Sequence, residues 1–158
     1  METEKGLFSY YEGPLEEFLK AAIVTKEGLI KSIIATVSKR LINDLILHGI
    51  DTDVTWKHTI DNSAVRHAIK IHGNDKESLR GQSQLTVSDM LMIPTIVSSY
   101  DTITTSKNRR NQDTILYTKT MESGDTYFFA EEVRMGRHEL AASTLYKRKK
   151  ENSPTLIG

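Results

Sequence analysis

The sequence predicts an α+β fold in which N-terminal helices pack on a C-terminal antiparallel sheet of about four strands. Two observations support this prediction. Apolar residues recur at helical spacing through much of the first hundred positions. Beyond residue 100, β-branched and aromatic residues gather in short segments separated by turn residues, which is typical of a meander. Helices that precede strands favour an α+β domain over a parallel α/β sheet.

Composition restricts the function to a few classes. The chain has 158 residues, about the length of one domain, and 21 basic residues balance 21 acidic ones. RNA binding would therefore need a local basic patch. The absence of cysteine excludes disulfides, thiolate zinc sites and a cysteine nucleophile, and suits a reducing compartment such as the cytoplasm. We find neither a signal peptide nor a membrane anchor, so no membrane partner is expected.

Helical spacing predicts two helices before residue 50. The first begins at Pro14 and runs to Ile23, and the second extends from residue 29 to residue 45. The apolar run 45–47 fits a short buried strand equally well. Residues 53–60 alternate between apolar and polar side chains, which predicts a strand.

Capping residues mark the next two helices. Side-chain oxygens at 61–63 can cap a helix that Gly73 ends, which predicts a helix over 63–72. Residues 86–89 match a capping box, and Pro94 is expected to divide the helix that follows.

The final third predicts the strands of the sheet. They are expected at residues 101–105, 114–120, 126–133 and 140–148. The polar stretches 76–84 and 149–158 are predicted to form a loop and a flexible tail.

The helix over 63–72 bears two imidazoles, His67 and His72, and two cations, Arg66 and Lys70. His72 lies in the last turn, at the negative end of the helix dipole, which suits a general acid or an anion binder. His67 lies on another face and is the candidate general base. Alternatively, His72 only satisfies backbone carbonyls at the helix end. The spacing of five residues is not that of paired zinc ligands, so a metal site is disfavoured.

Side chains on the strands could contact a phosphate. Ala142, Thr144 and Tyr146 are expected to share one face of the last strand, where the Thr144 hydroxyl could donate to a phosphate oxygen. Threonine in a strand is more often an ordinary β-former. Cations on or between the strands that could neutralise developing charge are Lys119, Arg134, Arg137 and Lys147. A basic loop could contact phosphates without reading bases, through Lys107, Arg109 and Arg110. A solvated surface explains these cations equally well.

Short motifs in a fixed order resemble a known family. They are 65–74 (VRHAIKIHGN), 80–82 (RGQ), 85–89 (LTVSD), 93–97 (IPTIV) and Asp101. This order is similar to the phage branch of the barnase, EndoU, colicin and RelE nuclease superfamily, found in phage head-morphogenesis proteins and polyvalent proteins of mobile elements. The resemblance implies an α+β fold with a ribonuclease site between helix and sheet. It divides the chain into an N-terminal helical extension over 1–50, a nuclease domain over 51–148 and a tail.

The resemblance also implies roles by position. His67 and His72 match the family's helix histidines, and Thr144 matches its hydroxyl residue on the last strand, so these three are the expected catalytic residues. The expected substrate-binding residues are Arg66, Lys70, Lys119, Tyr146 and Lys147.

The leading hypothesis is a metal-independent endoribonuclease, a toxin or effector of phage or mobile-element origin. One histidine would take the ribose 2′-hydroxyl proton and the other would protonate the leaving 5′-oxygen, which yields a 2′,3′-cyclic phosphate. No metal or organic cofactor is expected. The expected partners are RNA, with transfer RNA as one candidate, and an immunity protein or host protein.

Two rival functions stay open. A non-catalytic phage module could attach to a host enzyme or virion component, and it would keep binding if neutral isosteres replaced His67 and His72. The zero net charge and the lack of a dense basic stripe favour this module. A hydrolase or transferase acting on another phosphodiester or nucleotide is not separable from RNA cleavage at this level.

Overall fold

The computed structural model describes residues 9–73 and 84–149, through which one seven-stranded mixed sheet runs. The strands are β1 (Ser9–Tyr10), β2 (Ile30–Thr36), β3 (Lys57–Asp61), β4 (Thr102–Lys107), β5 (Asp113–Thr120), β6 (Thr126–Arg134) and β7 (Glu139–Arg148). The helices are α1 (Leu15–Val24), α2 (Lys39–Ile46), α3 (Asn62–His72), α4 (Val87–Met90) and α5 (Ile93–Ser99). Across the sheet the order is β1-β2-β3-β7-β6-β5-β4.

The pairing of β3 with β7 joins two parts of the sheet. On one side β2 and β3 are antiparallel, and on the other β4 to β7 form an antiparallel meander. β3 and β7 run parallel, with register pairs from Lys57–Glu139 to Thr59–Ala141. Parallel neighbours need a long crossover, and here it contains α3, α4, α5 and the first three strands of the meander.

The capping signals at the helix starts are confirmed, whereas Gly73 ends α3 without the left-handed conformation expected of it, at φ of -100°. The Asp61 side chain accepts a hydrogen bond of 2.8 Å from the backbone N–H of Ala64 at the start of α3. Thr86 and Asp89 form both hydrogen bonds of the capping box at the start of α4. Pro94 lies in the first turn of α5, where its missing N–H costs no helical hydrogen bond, so it separates α4 from α5 as expected.

The helix expected over residues 29–45 is wrong in its first half, because residues 30–36 form β2 and a helix begins only at Lys39. Two features hide this strand in the sequence. A β-bulge between Ile33 and Ala35 breaks the alternation. In addition, Lys31 is only 2% exposed, because its ammonium group pairs with Glu139 at 2.9 Å.

Two smaller assignments in this region are also corrected. The strand expected over 53–60 begins at Lys57, because the Asp53 carboxylate accepts a 2.8 Å hydrogen bond from the backbone N–H of Thr55 and closes a turn. The alternative strand at 45–47 is wrong, since α2 continues to Ile46 and Leu47 caps it in a helical conformation.

The sheet is larger than the four strands expected. The four strands of the final third are present within a few residues of their expected bounds, and β1, β2 and β3 extend them to seven. The α+β class is confirmed, although the helices do not all precede the strands. Most of the expected loop 76–84 and nearly all of the tail 149–158 lie outside the described residues.

One face of the sheet is covered by helices. On this face Ile115, Tyr117, Phe129 and Leu145 are buried. Ala68 of α3, Met90 of α4 and Ile93 of α5 lie around Phe129 and Leu145. Each helix within residues 9–73 and 84–149 is too short or too polar to traverse a lipid bilayer.

A buried carboxylate connects three strands on the covered face. Glu131 of β6 accepts a 2.6 Å hydrogen bond from the Tyr117 hydroxyl of β5 and lies 2.7 Å from Nδ1 of His58 of β3. Burial, followed by the charge of Glu131, raises the pKa of Tyr117 well above its ordinary value. Tyr117 therefore stays a hydrogen-bond donor at physiological pH. The buried Glu131 carboxylate thus keeps its hydrogen bond from Tyr117.

Asp89 connects the cap of α4 to the sheet. One of its oxygens accepts hydrogen bonds from the Thr86 N–H and hydroxyl, and the other accepts from the Tyr127 hydroxyl and, at 2.9 Å, from the Lys147 ammonium. Burial by itself raises the pKa of Asp89, but the hydrogen bonds from Tyr127, Lys147 and Thr86 together outweigh it and lower the pKa below its ordinary value.

We expect Asp89→Asn to lower the free energy of unfolding by about 1–3 kcal/mol at neutral pH, because it leaves Lys147 without its anion. Since the folded-state pKa of Asp89 is lowered, its contribution is full above the unfolded pKa of about 4. The contribution is lost as the pH falls toward the folded value. We therefore expect urea unfolding to show that the difference in free energy of unfolding between the wild type and Asp89→Asn is smaller in acid than at neutral pH.

The control is Asp51→Asn, at an exposed position. This variant should match the wild type at both pH values. An Asp89→Asn deficit that is equally large in acid and at neutral pH would contradict the assigned role of the carboxylate.

Candidate active site

α3 and β7 together position the side chains that the sequence singles out. α3 begins where β3 ends, at Asp61, and β7 continues past its last β3 partner, Ala141. α3 therefore takes the place beside β7 that β3 leaves, and the two elements contact each other. Small residues such as Ala64 and Ala142 lie at this contact and let the helix approach the strand.

A bulge in β7 decides which side chains face the same way. Ala130 of β6 pairs with Thr144, whereas its neighbour Glu131 pairs with Ala142, so Ser143 is the extra residue. Because Ala130 and Glu131 point to opposite faces, Ala142 and Thr144 also do. The expectation that Ala142, Thr144 and Tyr146 share a face is therefore wrong for Ala142. Thr144 and Tyr146 point to the face opposite the buried Leu145.

His72 meets Thr144 and Tyr146 at the C-terminal end of α3. Its Nε2 lies 3.5 Å from the Thr144 hydroxyl oxygen, a long contact that a small shift would tighten into a hydrogen bond. The centre of its ring is 5.5 Å from that of Tyr146. Tyr146 in turn stacks on Phe128 of β6 at 4.8 Å, with the two rings nearly parallel. This row of rings holds the imidazole at the surface of the sheet.

His67 lies one and a half turns earlier on α3 and is exposed. It borders a cavity of about 220 Å³, which is also lined by Glu132, Arg134 and Ser143. Five helical residues separate two side chains by roughly 140° around the axis and about 7.5 Å along it. His67 and His72 therefore have different surroundings: His67 shares its cavity with Ser143, whereas His72 contacts the next residue of β7, Thr144.

The two cations of α3 differ in exposure. Lys70 is exposed in the last turn. Arg66 is half-buried, and its Nε is buried without a hydrogen-bond acceptor among the residues that the structure describes. Its other guanidinium nitrogens still offer donors.

Two other expected substrate-binding residues are held by carboxylates. The Lys147 ammonium donates to Asp89 at 2.9 Å, and as the neighbour of Tyr146 in a strand it points to the other face. Lys119 lies 3.8 Å from Asp101, with 22% of its side chain exposed. Both lysines flank Tyr127 across the sheet, Lys119 from β5 and Lys147 from β7. The structure therefore separates them from Thr144 and His72.

A larger groove of about 560 Å³ lies between the loop that joins β4 to β5 and the turn after β6. Its basic residues are Arg110, Arg134 and Arg137, and we call it the arginine groove. Glu132 lies at its base with 12% of its side chain exposed and contacts two of the guanidinium groups. Glu132 and Arg134 also line the cavity beside His67, so the two spaces adjoin.

The arginine groove is the part of this surface that sequence reasoning left out of the expected site. Its cations were visible as two separate signals, the basic loop around Arg110 and the arginines on either side of Gly136. They meet only because β5 and β6 pair in a register that places Thr114 opposite Glu132. A strand register of this kind cannot be read from one sequence alone.

Metal ligands would have to come from clustered histidine, cysteine, aspartate or glutamate side chains. Within residues 9–73 and 84–149, no three histidine, cysteine, aspartate or glutamate side chains lie close enough together to hold a metal ion.

Comparison with known proteins identifies the family. The model of the family described as phage-Barnase-EndoU-ColicinE5/D-RelE like nuclease3 matches residues 31–153. None of the curated proteins and none of the solved structures compared with the chain matches it. The family match begins at residue 31, so it includes nearly all of β2 as well as the domain expected over 51–148. The division of the chain at residue 51 stays a prediction. Because the match covers most of the chain, this protein belongs to the phage Barnase-EndoU-ColicinE5/D-RelE-like nuclease 3 family.

Proposed function

We propose that the protein is an endoribonuclease that cleaves RNA without a metal ion and leaves a 2′,3′-cyclic phosphate. The observation that carries the proposal is the position of the two imidazoles of α3 relative to β7: His67 lines a cavity together with Ser143, and Nε2 of His72 lies 3.5 Å from the hydroxyl oxygen of the next residue, Thr144. In the proposed complex the scissile phosphodiester lies over this part of β7. Membership in a nuclease family supports the same reading.

In this reaction His67 accepts the proton of the ribose 2′-hydroxyl, and the oxygen attacks phosphorus. His72 donates a proton to the 5′-oxygen as the phosphorus–oxygen bond to it breaks. His67 is the exposed imidazole, open to an incoming hydroxyl, whereas His72 is half-buried among β7 side chains. Imidazole suits both transfers because its ordinary pKa lies near the pH of the cell.

Thr144 stabilises the charge that develops on the phosphoryl oxygens. Its hydroxyl can donate one hydrogen bond, and the neighbouring His72 contact keeps it at the edge of the site. Tyr146 positions the His72 ring and offers a contact to the substrate. Arg66 and Lys70, on the same helix as both histidines, contribute positive charge for binding. For Lys119 and Lys147 a substrate role would require release from Asp101 and Asp89.

The proposed function predicts that the protein cleaves total RNA and transfer RNA in the presence of EDTA. The wild type should produce fragments with cyclic-phosphate ends, and a His67→Ala, His72→Ala double variant should not. Each single variant should be nearly as inactive as the double variant, because acid and base act in the same reaction. Product ends are read by phosphatase sensitivity and mass spectrometry.

The matched control for the histidines is His48→Ala, which removes an exposed imidazole at the end of α2. This variant should cleave at the wild-type rate. A wild type that leaves both RNAs intact would overturn the proposal and favour a protein-binding module, which a pull-down with host proteins would then test. Cleavage that EDTA abolishes would overturn the metal-independent chemistry.

Replacement of Thr144 tests the proposed role of its hydroxyl group. We expect Thr144→Val, which keeps the shape and removes the donor, to lower kcat about 100-fold or more, the usual effect of removing one donor to a developing oxyanion. Thr144→Ser, which keeps the hydroxyl, should recover most of the rate. Single-turnover cleavage with saturating enzyme measures the chemical step directly.

Equal rates for Thr144→Val and the wild type would show that the hydroxyl plays no part in the chemistry. Thermal unfolding of both variants checks that any loss of rate does not come from loss of the fold.

A further inference from the structure

The arginine groove has a built arrangement of donors at its base. Glu132 accepts a 2.8 Å hydrogen bond from Nη2 of Arg110 and two longer ones, each of 3.3 Å, from Nε and Nη2 of Arg134. A guanidinium group has five N–H donors, so these contacts orient both groups and leave further donors for another anion. Arg137 lines the groove beside them.

Both walls of the groove are held in place by local contacts. On one side, the Asn108 side chain accepts from the backbone N–H groups of Arg110 and Gln112 and donates to Glu132 at 3.1 Å. On the other, the turn after Arg134 ends at His138, which adopts a left-handed conformation with φ of 54° and stacks on Trp56 at 5.1 Å. The arginines therefore need little reorganisation to bind a ligand.

The charge in the groove is positive although the whole chain is neutral. Three arginines line it together with two carboxylates, Glu132 and Asp113. Asp113 is already paired with Lys107 at 3.0 Å. Because the arginines outnumber the carboxylates in this lining, a net positive charge faces the solvent. Guanidinium groups match the geometry of phosphate oxygens, which they contact through paired hydrogen bonds.

The groove also adjoins the proposed reaction site. Arg134 and Glu132 line both the arginine groove and the cavity beside His67. On β6, residues 128, 130, 132 and 134 share one face, so Glu132 and Arg134 lie on the same face as Phe128, the ring that stacks on Tyr146. The groove and the proposed reaction site therefore share this face of β6.

We propose that the arginine groove binds backbone phosphates of the RNA strand next to the cleaved linkage, through Arg110 and Arg137. This inference rests on the proposed ribonuclease function, since it takes RNA as the ligand. RNA is favoured over an acidic protein because the groove shares Glu132 and Arg134 with the cavity that His67 lines. The groove supplies affinity but does not read base sequence, because contacts to phosphates carry no sequence information.

The test measures binding of a short, fluorescently labelled, fully 2′-O-methylated single-stranded oligonucleotide, which has no 2′-hydroxyl to react. We expect Arg110→Gln, Arg137→Gln to weaken binding about tenfold or more at low salt. The slope of log Kd against log salt concentration should fall by about 0.7 for each arginine removed. Arg109→Gln is the matched control, because Arg109 is an exposed residue of the same loop that does not line the groove.

A double variant that binds as tightly as Arg109→Gln, with the same salt dependence, would overturn the inference. So would a wild type that binds poly-glutamate but not the oligonucleotide through these two arginines, a result that would assign the groove to an acidic protein. With cleavable RNA, the double variant should raise KM and leave kcat at saturating substrate unchanged. Binding that depends on the arginines in a wild type that cleaves nothing would support the groove and refute the proposed function, so the two failures are distinguishable.

Discussion

Three register pairs between β3 and β7, from Lys57–Glu139 to Thr59–Ala141, connect the N-terminal strands to the meander. The rest of the arrangement depends on this short parallel contact. It ends where β3 ends, at Asp61, and α3 begins at the next residue. From that point α3 packs beside β7, in the place that β3 leaves. The two histidines of α3 reach the last strand for this reason.

The two faces of the sheet differ in the side chains that they carry. The face under α3, α4 and α5 holds the apolar core together with two buried carboxylates, Glu131 and Asp89, each of which accepts hydrogen bonds from more than one element. Their partners are tyrosine, histidine and lysine side chains, and these contacts stabilise the fold. The bulge at Ser143 assigns Thr144 to the other face. That face is therefore the one with side chains available for a ligand.

Electrostatics on this protein are local. A neutral chain gains no attraction for RNA from its total charge. Glu132 nevertheless brings Arg110 of a loop and Arg134 of β6 to one point. Within about 8 Å, the screening distance at physiological salt, a ligand would meet the charge of this cluster rather than the zero net charge of the whole chain. A single carboxylate at the base of the arginine groove thus orients positive charge without cancelling it.

The sequence by itself determined the elements whose signals are local: the caps at Asp61 and Asp89, the break at Pro94 and the four strands after residue 100. It also indicated the family, through motifs along α3 and α4. Only the tertiary structure showed that residues 30–36 form β2, because a buried Lys31–Glu139 pair and a bulge conceal the strand pattern. Only the tertiary structure likewise determined which face Thr144 points to and how Arg110 and Arg134 come together at Glu132. Each of these depends on pairing between segments far apart in the chain, and strand register and long-range ion pairs leave no periodic trace in either segment alone.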